Sequence, residues 1–267
     1  MSFQPVIPIG GIAGWRFLER TRESQFDTFT KGAQLERDSD YFAETIGKVT
    51  SAEDLIADRR LLNVALGAFG LQDDINNKAF IQKILEDGTE ADDALANRLA
   101  DERYKKLSEA FGFGPSGTVT TGDSAAMADI VDKYQVQEFE TAVGNQNDSM
   151  RIAMYAEREV ADIAIDDMSE NAKWFTLLGQ PPLKKFFETA LGLPSAVGKL
   201  DLDRQLEIFK DKTLAVTGSS DVSQFTDPKV MEDLTMRYLA RAQIEEFNAN
   251  FNPAANALFL IQSANQF

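Results

Sequence analysis

Three stretches of this chain carry apolar residues at helical spacing and stop at the same punctuation: Ala68-Phe69-Gly70, Ala110-Phe111-Gly112 and Ala190-Leu191-Gly192. Glycine accepts a positive φ without the steric cost of a Cβ, so a helix followed at once by glycine can close its last carbonyls in a left-handed turn. A chain punctuated in this way predicts packed helices joined by short turns. Ser51, with Asp54 in the first turn, predicts a helix start. The run through Leu55, Ile56, Leu61, Val64 and Leu66 then reads as one helix ending at Gly70. A second helix carries Ala79, Phe80, Ile84 and Leu85 and stops at Gly88. A third is expected from Ala94 to Phe111.

Gly112 to Gly122, rich in Gly, Ser and Thr, reads as the clearest loop. Helical pattern resumes from Asp123 to Val143, and Asp148 or Ser149 is expected to cap the next helix. There Ile152, Tyr155, Ala156, Val160 and Ile163 fall on one face. Ser169 opens a short helix that Gly179, Pro181 and Pro182 break, and Phe186 to Leu191 is helical again. Asp201 caps a helix to Lys212. Asp227-Pro228 starts a long helix to Phe247, because proline is favoured at the first helical position. Asn252-Pro253 repeats the device before a last helix through Phe259 and Ile261. No segment alternates as a strand does. The expectation is an all-α, multi-helix bundle of about ten to twelve helices. Its organisation reads as an N-terminal tail (1–20), a first helical half (21–114), a linker (115–122), a second helical half (123–247) and an aromatic-rich tail helix (248–267).

The two halves echo one another. Asp54 to Leu71 aligns without gaps on Thr176 to Leu193, matching Leu55 with Leu177, Leu61 with Leu183, Ala68 with Ala190, Gly70 with Gly192 and Leu71 with Leu193. That makes the halves candidate duplicates.

Charge and missing residue types narrow the function. The 27 basic and 43 acidic residues leave a net charge of −16. That balance opposes nucleic-acid binding, which relies on neutralising phosphates, and opposes an anionic membrane surface. No stretch approaches the ~18 apolar residues of a membrane span. The N-terminus lacks a basic region and is interrupted by Pro5 and Pro8, so the expectation is cytoplasmic synthesis, with any export independent of a Sec-type signal peptide. The chain has no cysteine and no histidine. Thiolate metal sites, cysteine nucleophiles and the Ser-His-Asp triad are therefore excluded.

The remaining candidates have plain structural readings. Gly112-Phe113-Gly114-Pro115-Ser116-Gly117 matches the letters of a dinucleotide fingerprint, but a helix precedes it and Pro115 removes an N–H, so it reads as a linker. Asp162, Asp166 and Glu170 are spaced i, i+4, i+8 and could line a carboxylate stripe for Mg²⁺ or Ca²⁺. Together with Glu157, Glu159 and Asp167 they read chiefly as a solvated face. Lys184 and Lys185 read as a basic surface spot. The aromatic ends, with Trp15, Phe17, Phe251, Phe259 and Phe267 as the candidate partner-binding residues, are expected either to pack on one another or to meet a partner protein. No cofactor and no small-molecule substrate are inferred.

The run from Asp58 to Gly88, followed by Ala96 to Gly114, resembles the domain-of-unknown-function family 1217. Asp40 to Arg59 is also similar to that family, as are Trp174 to Pro194 and Asp201-Leu202-Asp203. The resemblance covers Arg20 to Arg241. It implies a bacterial, mostly alphaproteobacterial protein, often encoded among flagellar genes, with no established activity and no catalytic residues to carry over. The expectation is a non-enzymatic, flagellum-associated structural, accessory or assembly protein working through protein–protein contact. The alternatives are an acidic export chaperone for a flagellar subunit and a carboxylate-based, divalent-metal-binding enzyme or regulator.

Overall fold

The computed structural model describes residues 3–250, and among them the chain forms thirteen α-helices and no strand. The first seven are α1 (Gly11–Thr30), α2 (Ala33–Thr45), α3 (Ala52–Ala57), α4 (Arg59–Ala68), α5 (Lys78–Asp87), α6 (Leu95–Arg98) and α7 (Arg103–Phe111). After a loop come α8 (Ser124–Gly144), α9 (Asp148–Ile165), α10 (Glu170–Leu178), α11 (Pro181–Leu191), α12 (Leu202–Thr217) and α13 (Pro228–Asn250). The all-α expectation is met. The last expected helix, with Phe251, Phe259 and Phe267, lies outside the described residues.

Caps explain where the sequence pattern and the helices part company. The helix expected from Ser51 to Gly70 is two. Ser51 caps α3 through the Asp54 N–H, but Asp58 is extended (φ −94°, ψ 106°) and its carboxylate accepts the N–H groups of Arg60 and Leu61 to start α4. The helix expected over Ala94 to Phe111 also breaks in two. Leu99 is extended, and the Glu102 N–H donates to Gly179 O across the molecule at 3.0 Å. Asn147, rather than Asp148 or Ser149, caps α9. α10 ends at Leu178, as the Gly179-Pro181-Pro182 break leads one to expect, and the same two prolines then begin α11, earlier than the expected Phe186, since N–H groups at these positions have no intrahelical partner.

The Asp54–Leu71 and Thr176–Leu193 segments share local geometry as well as letters. Asp58 and Gln180 are both extended N-caps, and Gly70 and Gly192 are both left-handed, at φ 66° and 69°. Each turn closes with the same six-to-one bond, Leu71 N–H to Leu66 O (2.9 Å) and Leu193 N–H to Glu188 O (2.8 Å). An arginine sits on the end of each second helix: Arg103 donates to Gly70 O at 2.6 Å and Arg237 to Ala190 O at 2.8 Å. The likeness is local to this module. The elements around it differ, with α6 and α7 in the first half and a 3-10 turn over Val222–Thr226 in the second.

Two apolar cores form. The first gathers Phe42, Leu55, Leu62, Ile81, Leu85 and Phe111 with Ile130 and Tyr134 of α8. The second gathers Trp174, Phe186, Phe187, Phe209 and Tyr238 with Phe139 and Val143, also of α8. Its rings meet edge to face, with Phe187 5.4 Å from Trp174 and 5.5 Å from Phe225. The division between the cores therefore runs through α8, not through the 115–122 loop. That loop lies on the first core: Thr121 Oγ1 donates to Val49 O at 2.6 Å, and a Cβ on Gly114 would come within 2.5 Å of Gly88 Cα.

The N-terminal segment is also packed. Gln25 of α1 bonds both the N–H (2.6 Å) and the carbonyl (3.2 Å) of Val6, so residues 3–10 run back along the helix that comes after them. α1 itself belongs to the second core through Trp15 and Leu18.

Candidate functional site: a charged staple beside an apolar groove

The carboxylate stripe is not assembled. α9 ends at Ile165, and Asp166 is extended at ψ 149°, so the i, i+4, i+8 register is lost before Glu170. Asp162 and Asp166 face solvent. Glu170 is engaged elsewhere: its carboxylate accepts the Val222 N–H at 2.6 Å and the Ser223 hydroxyl, tying the 222–226 turn to α10. Burial raises the Glu170 pKa, but these hydrogen bonds outweigh it and hold the group below its ordinary value. Among the described residues no group of three or more Asp or Glu could hold a metal ion. This corrects the divalent-metal reading of Asp162, Asp166 and Glu170.

Two partner-binding candidates can be placed. Trp15 is fully enclosed in the second core, which corrects its assignment to a partner surface: at 0% exposure its ring offers nothing to a second molecule. Phe17, two residues on, is half-buried on α1.

The chemistry that burial does concentrate lies on α7, α8 and α9. Lys106 of α7 donates to Glu159 of α9 at 2.7 Å. Glu159 also pairs with its neighbour Arg158, whose guanidinium forks onto Glu140 of α8 with two contacts of 3.2 Å. Arg158 further sits 5.1 Å over the Tyr155 ring, and Tyr155 Oη donates to buried Gln180 at 2.7 Å. Burial pushes the Glu140 pKa up, with Arg158 pulling against it. For Glu159 burial also raises the pKa, but Lys106 and Arg158 outweigh it and the group stays below its ordinary value. Glu159 was expected on a solvated face; it is buried. Sequence spacing carries no sign of this, because Lys106 and Glu140 reach it from other helices.

Beside this staple a groove of about 390 Å³ opens between α1, α8 and α9. Phe26, Val136, Phe139 and Met154 supply apolar surface, and Arg22, Glu23 and Glu157 stand among them. Phe26 packs edge to face on Phe139 at 5.5 Å. Glu157 is a carboxyl group that its surroundings destabilise in the charged form. Its pKa is pushed up to about 7 by burial, with Arg22 opposing and Glu19 and Glu232 repelling its charge. Arg22 approaches no closer than 3.5 Å. Chemically, the groove offers an apolar floor and a carboxylate that a cation would stabilise.

A second, more polar cleft of about 560 Å³ lies where the turn after α4 (Gly70, Gln72 and Asp73) meets α7, α8, α9 and α11. Its arginines are already engaged, Arg103 with Asp101 and Arg151 with Asp148.

Fold and site together define an all-helical protein with two cores stapled by buried ion pairs. The family described as protein of unknown function DUF1217 matches residues 68–231, and the chain belongs to that family. The crystal structure of an Agrobacterium tumefaciens protein, a structural-genomics target, is similar along most of its length. It is 27% identical, with a TM-score of 0.71 over 91% of this chain and 99% of that one. No curated protein matches the chain. None of the helices among the described residues is long and apolar enough to cross a membrane.

Proposed function

We propose that this chain is a non-enzymatic, flagellum-associated accessory or assembly protein that works by protein–protein contact, using the groove between α1, α8 and α9. The observation that carries the contact is Glu157, a carboxyl group whose pKa burial pushes up to about 7, at an apolar-floored groove of about 390 Å³. A partner helix presenting apolar side chains and one Lys or Arg would fill the floor and add a second cation beside Arg22. The chain's net charge of −16 favours such a basic partner at long range. The flagellar setting rests on the family resemblance alone.

The acidic export-chaperone reading uses the same groove. It differs only in what occupies it, a secreted subunit before export rather than a resident component. Affinity capture from motile cells, with the full chain and with Val136→Glu in the groove, tests both. Capture of a flagellar protein by the full chain and its loss in the variant is expected. Capture of a secreted subunit from the cytoplasmic fraction selects the chaperone reading. Equal recovery by both baits, with motility intact in a deletion strain, would remove the proposal.

A further inference from the structure

The polar cleft of about 560 Å³ between the turn after α4 and helices α7, α8, α9 and α11 holds charge that the chain itself does not balance. Its two arginines are each matched by a carboxylate, Arg103 by Asp101 at 2.7 Å and Arg151 by Asp148 at 2.6 Å. Two further carboxylates line the cleft, Asp73 and Glu138, and among the described residues neither has a Lys or Arg partner. Gln72 Nε2 donates to Glu138 at 2.7 Å, which draws the turn carrying Asp73 against α8. Burial raises the Glu138 pKa, the bond from Gln72 pulls against it, and the charge of Asp38 adds to the rise.

A second observation is independent of charge. Gln137, the residue before Glu138 on α8, lines the cleft at only 8% exposure, yet its amide has no hydrogen-bond partner among the described residues. Buried side-chain amides are normally paired, so one left open at a cleft wall is available to a bound molecule. Tyr155 adds an acceptor, because its hydroxyl proton goes to Gln180 at 2.7 Å and leaves lone pairs on the oxygen.

Space and chemistry together fix the class of ligand. A bare metal ion draws about six oxygens to within about 2.6 Å, and among the described residues no cluster of three carboxylates exists. A volume of about 560 Å³ is instead that of a small-molecule site. An anion would be repelled by Asp73 and Glu138 and would find both arginines already engaged. A guanidinium or ammonium group supplies what is lacking: positive charge for Glu138, and N–H donors for the Gln137 and Tyr155 oxygens.

We propose that this cleft binds a small organic cation bearing a guanidinium or primary ammonium group, with Glu138 as its charge partner and Gln137 as its buried acceptor. Exposed Asp73 adds to the attraction. The site is separate from the α1–α8–α9 groove and stands or falls without it.

Titration calorimetry of the full chain with agmatine and with putrescine tests this, in about 0.15 M salt so that diffuse attraction to the acidic surface is screened. Saturable binding at one site per chain is expected. Glu138→Gln keeps an acceptor for Gln72 but removes the charge, and should weaken binding by about tenfold or more. Asp162→Asn removes the same charge from an exposed position on α9 and should change binding by less than about twofold. Gln137→Met, close in volume, should weaken binding by about tenfold. If that variant does not fold, Asp73→Asn on the exposed turn gives the second reading, with weaker binding expected. No saturable heat with either cation would overturn the proposal, as would equal losses for Glu138→Gln and Asp162→Asn. Unchanged affinity in Gln137→Met, or in Asp73→Asn where that variant replaces it, also counts against the site. Glycerol bound as tightly as the cations would assign the cleft to neutral polyols instead.

Discussion

Lys106 and Glu159 meet at 2.7 Å across 53 residues of sequence, and the contact joins a helix of the first core to one of the second. Glu159 shares its carboxylate with Arg158, and Arg158 carries the network on to Glu140, whose side chain is only 3% exposed. The staple is therefore graded by burial, from half-exposed Lys106 to enclosed Glu140.

That gradient predicts unequal mutational costs. Lys106→Ala removes a half-exposed partner, leaves Glu159 paired with Arg158, and should cost about 1 kcal/mol or less. Glu140→Ala strips the buried acceptor from Arg158 and should cost about 3 kcal/mol. Urea unfolding of the two variants checks this. Equal costs would mean that burial does not set the worth of these pairs.

Glu157 predicts a pH dependence of defined sign. Its pKa is 4.5 ordinarily and about 7 in the folded protein. The folded state therefore holds the proton more tightly than the unfolded chain. Stability from this group is greatest at low pH and falls as pH rises from 4.5 to about 7, by up to about 3 kcal/mol. Glu157→Gln should flatten that part of the stability profile relative to the parent chain. Chemical denaturation at pH 5 and pH 7.5 provides the comparison.

Asp58 titrates in the opposite sense. Burial raises its pKa, but the Tyr41 hydroxyl at 2.6 Å and the N–H groups of Leu61 and Arg60 outweigh that and hold it below 3.8. Its contribution is thus present above the unfolded value of 3.8 and is lost as pH falls through the lower folded value. Asp58→Ala removes the α4 cap and should cost about 1–2 kcal/mol near neutrality. The deficit should shrink in acid, which a pair of denaturation curves at pH 7 and pH 3 would reveal.

Gly70 and Gly192 occupy equivalent turns but should differ in tolerance. Alanine at either takes on the left-handed strain of about 1–2 kcal/mol. At Gly70 the nearest atom to a new Cβ lies 3.4 Å away, whereas at Gly192 a new Cβ would run into the Arg241 guanidinium. The guanidinium is the far end of a flexible side chain and can swing aside, so Gly192→Ala should be only slightly the more destabilising. A larger drop in thermal midpoint for Gly70→Ala would contradict the packing around Arg241.

Much of this fold is local and so was legible in the residues. Ser51, Asp123, Ser169 and Asp201 cap helices through their own side chains, because the N–H groups they satisfy lie two or three positions along the chain. Gly70, Gly88, Gly112 and Gly192 end helices at positive φ for an equally local reason. The failures are also physical. Asp58 sits inside a continuous apolar period, so its cap is visible only once Tyr41 and the break at its own ψ are seen. Asp162, Asp166 and Glu170 keep helical spacing in the sequence, but the helix that would align them ends at Ile165.

Helicity, an acidic surface and glycine-closed turns were thus written into the residues themselves, since periodicity, composition and φ preferences act within a few positions of the chain. Packing settled the rest: Trp15 became core, Glu159 was buried, and Glu157 came to line a groove with a pKa near 7. Burial and charge pairing depend on which distant helices meet, and nothing in local spacing carries that information.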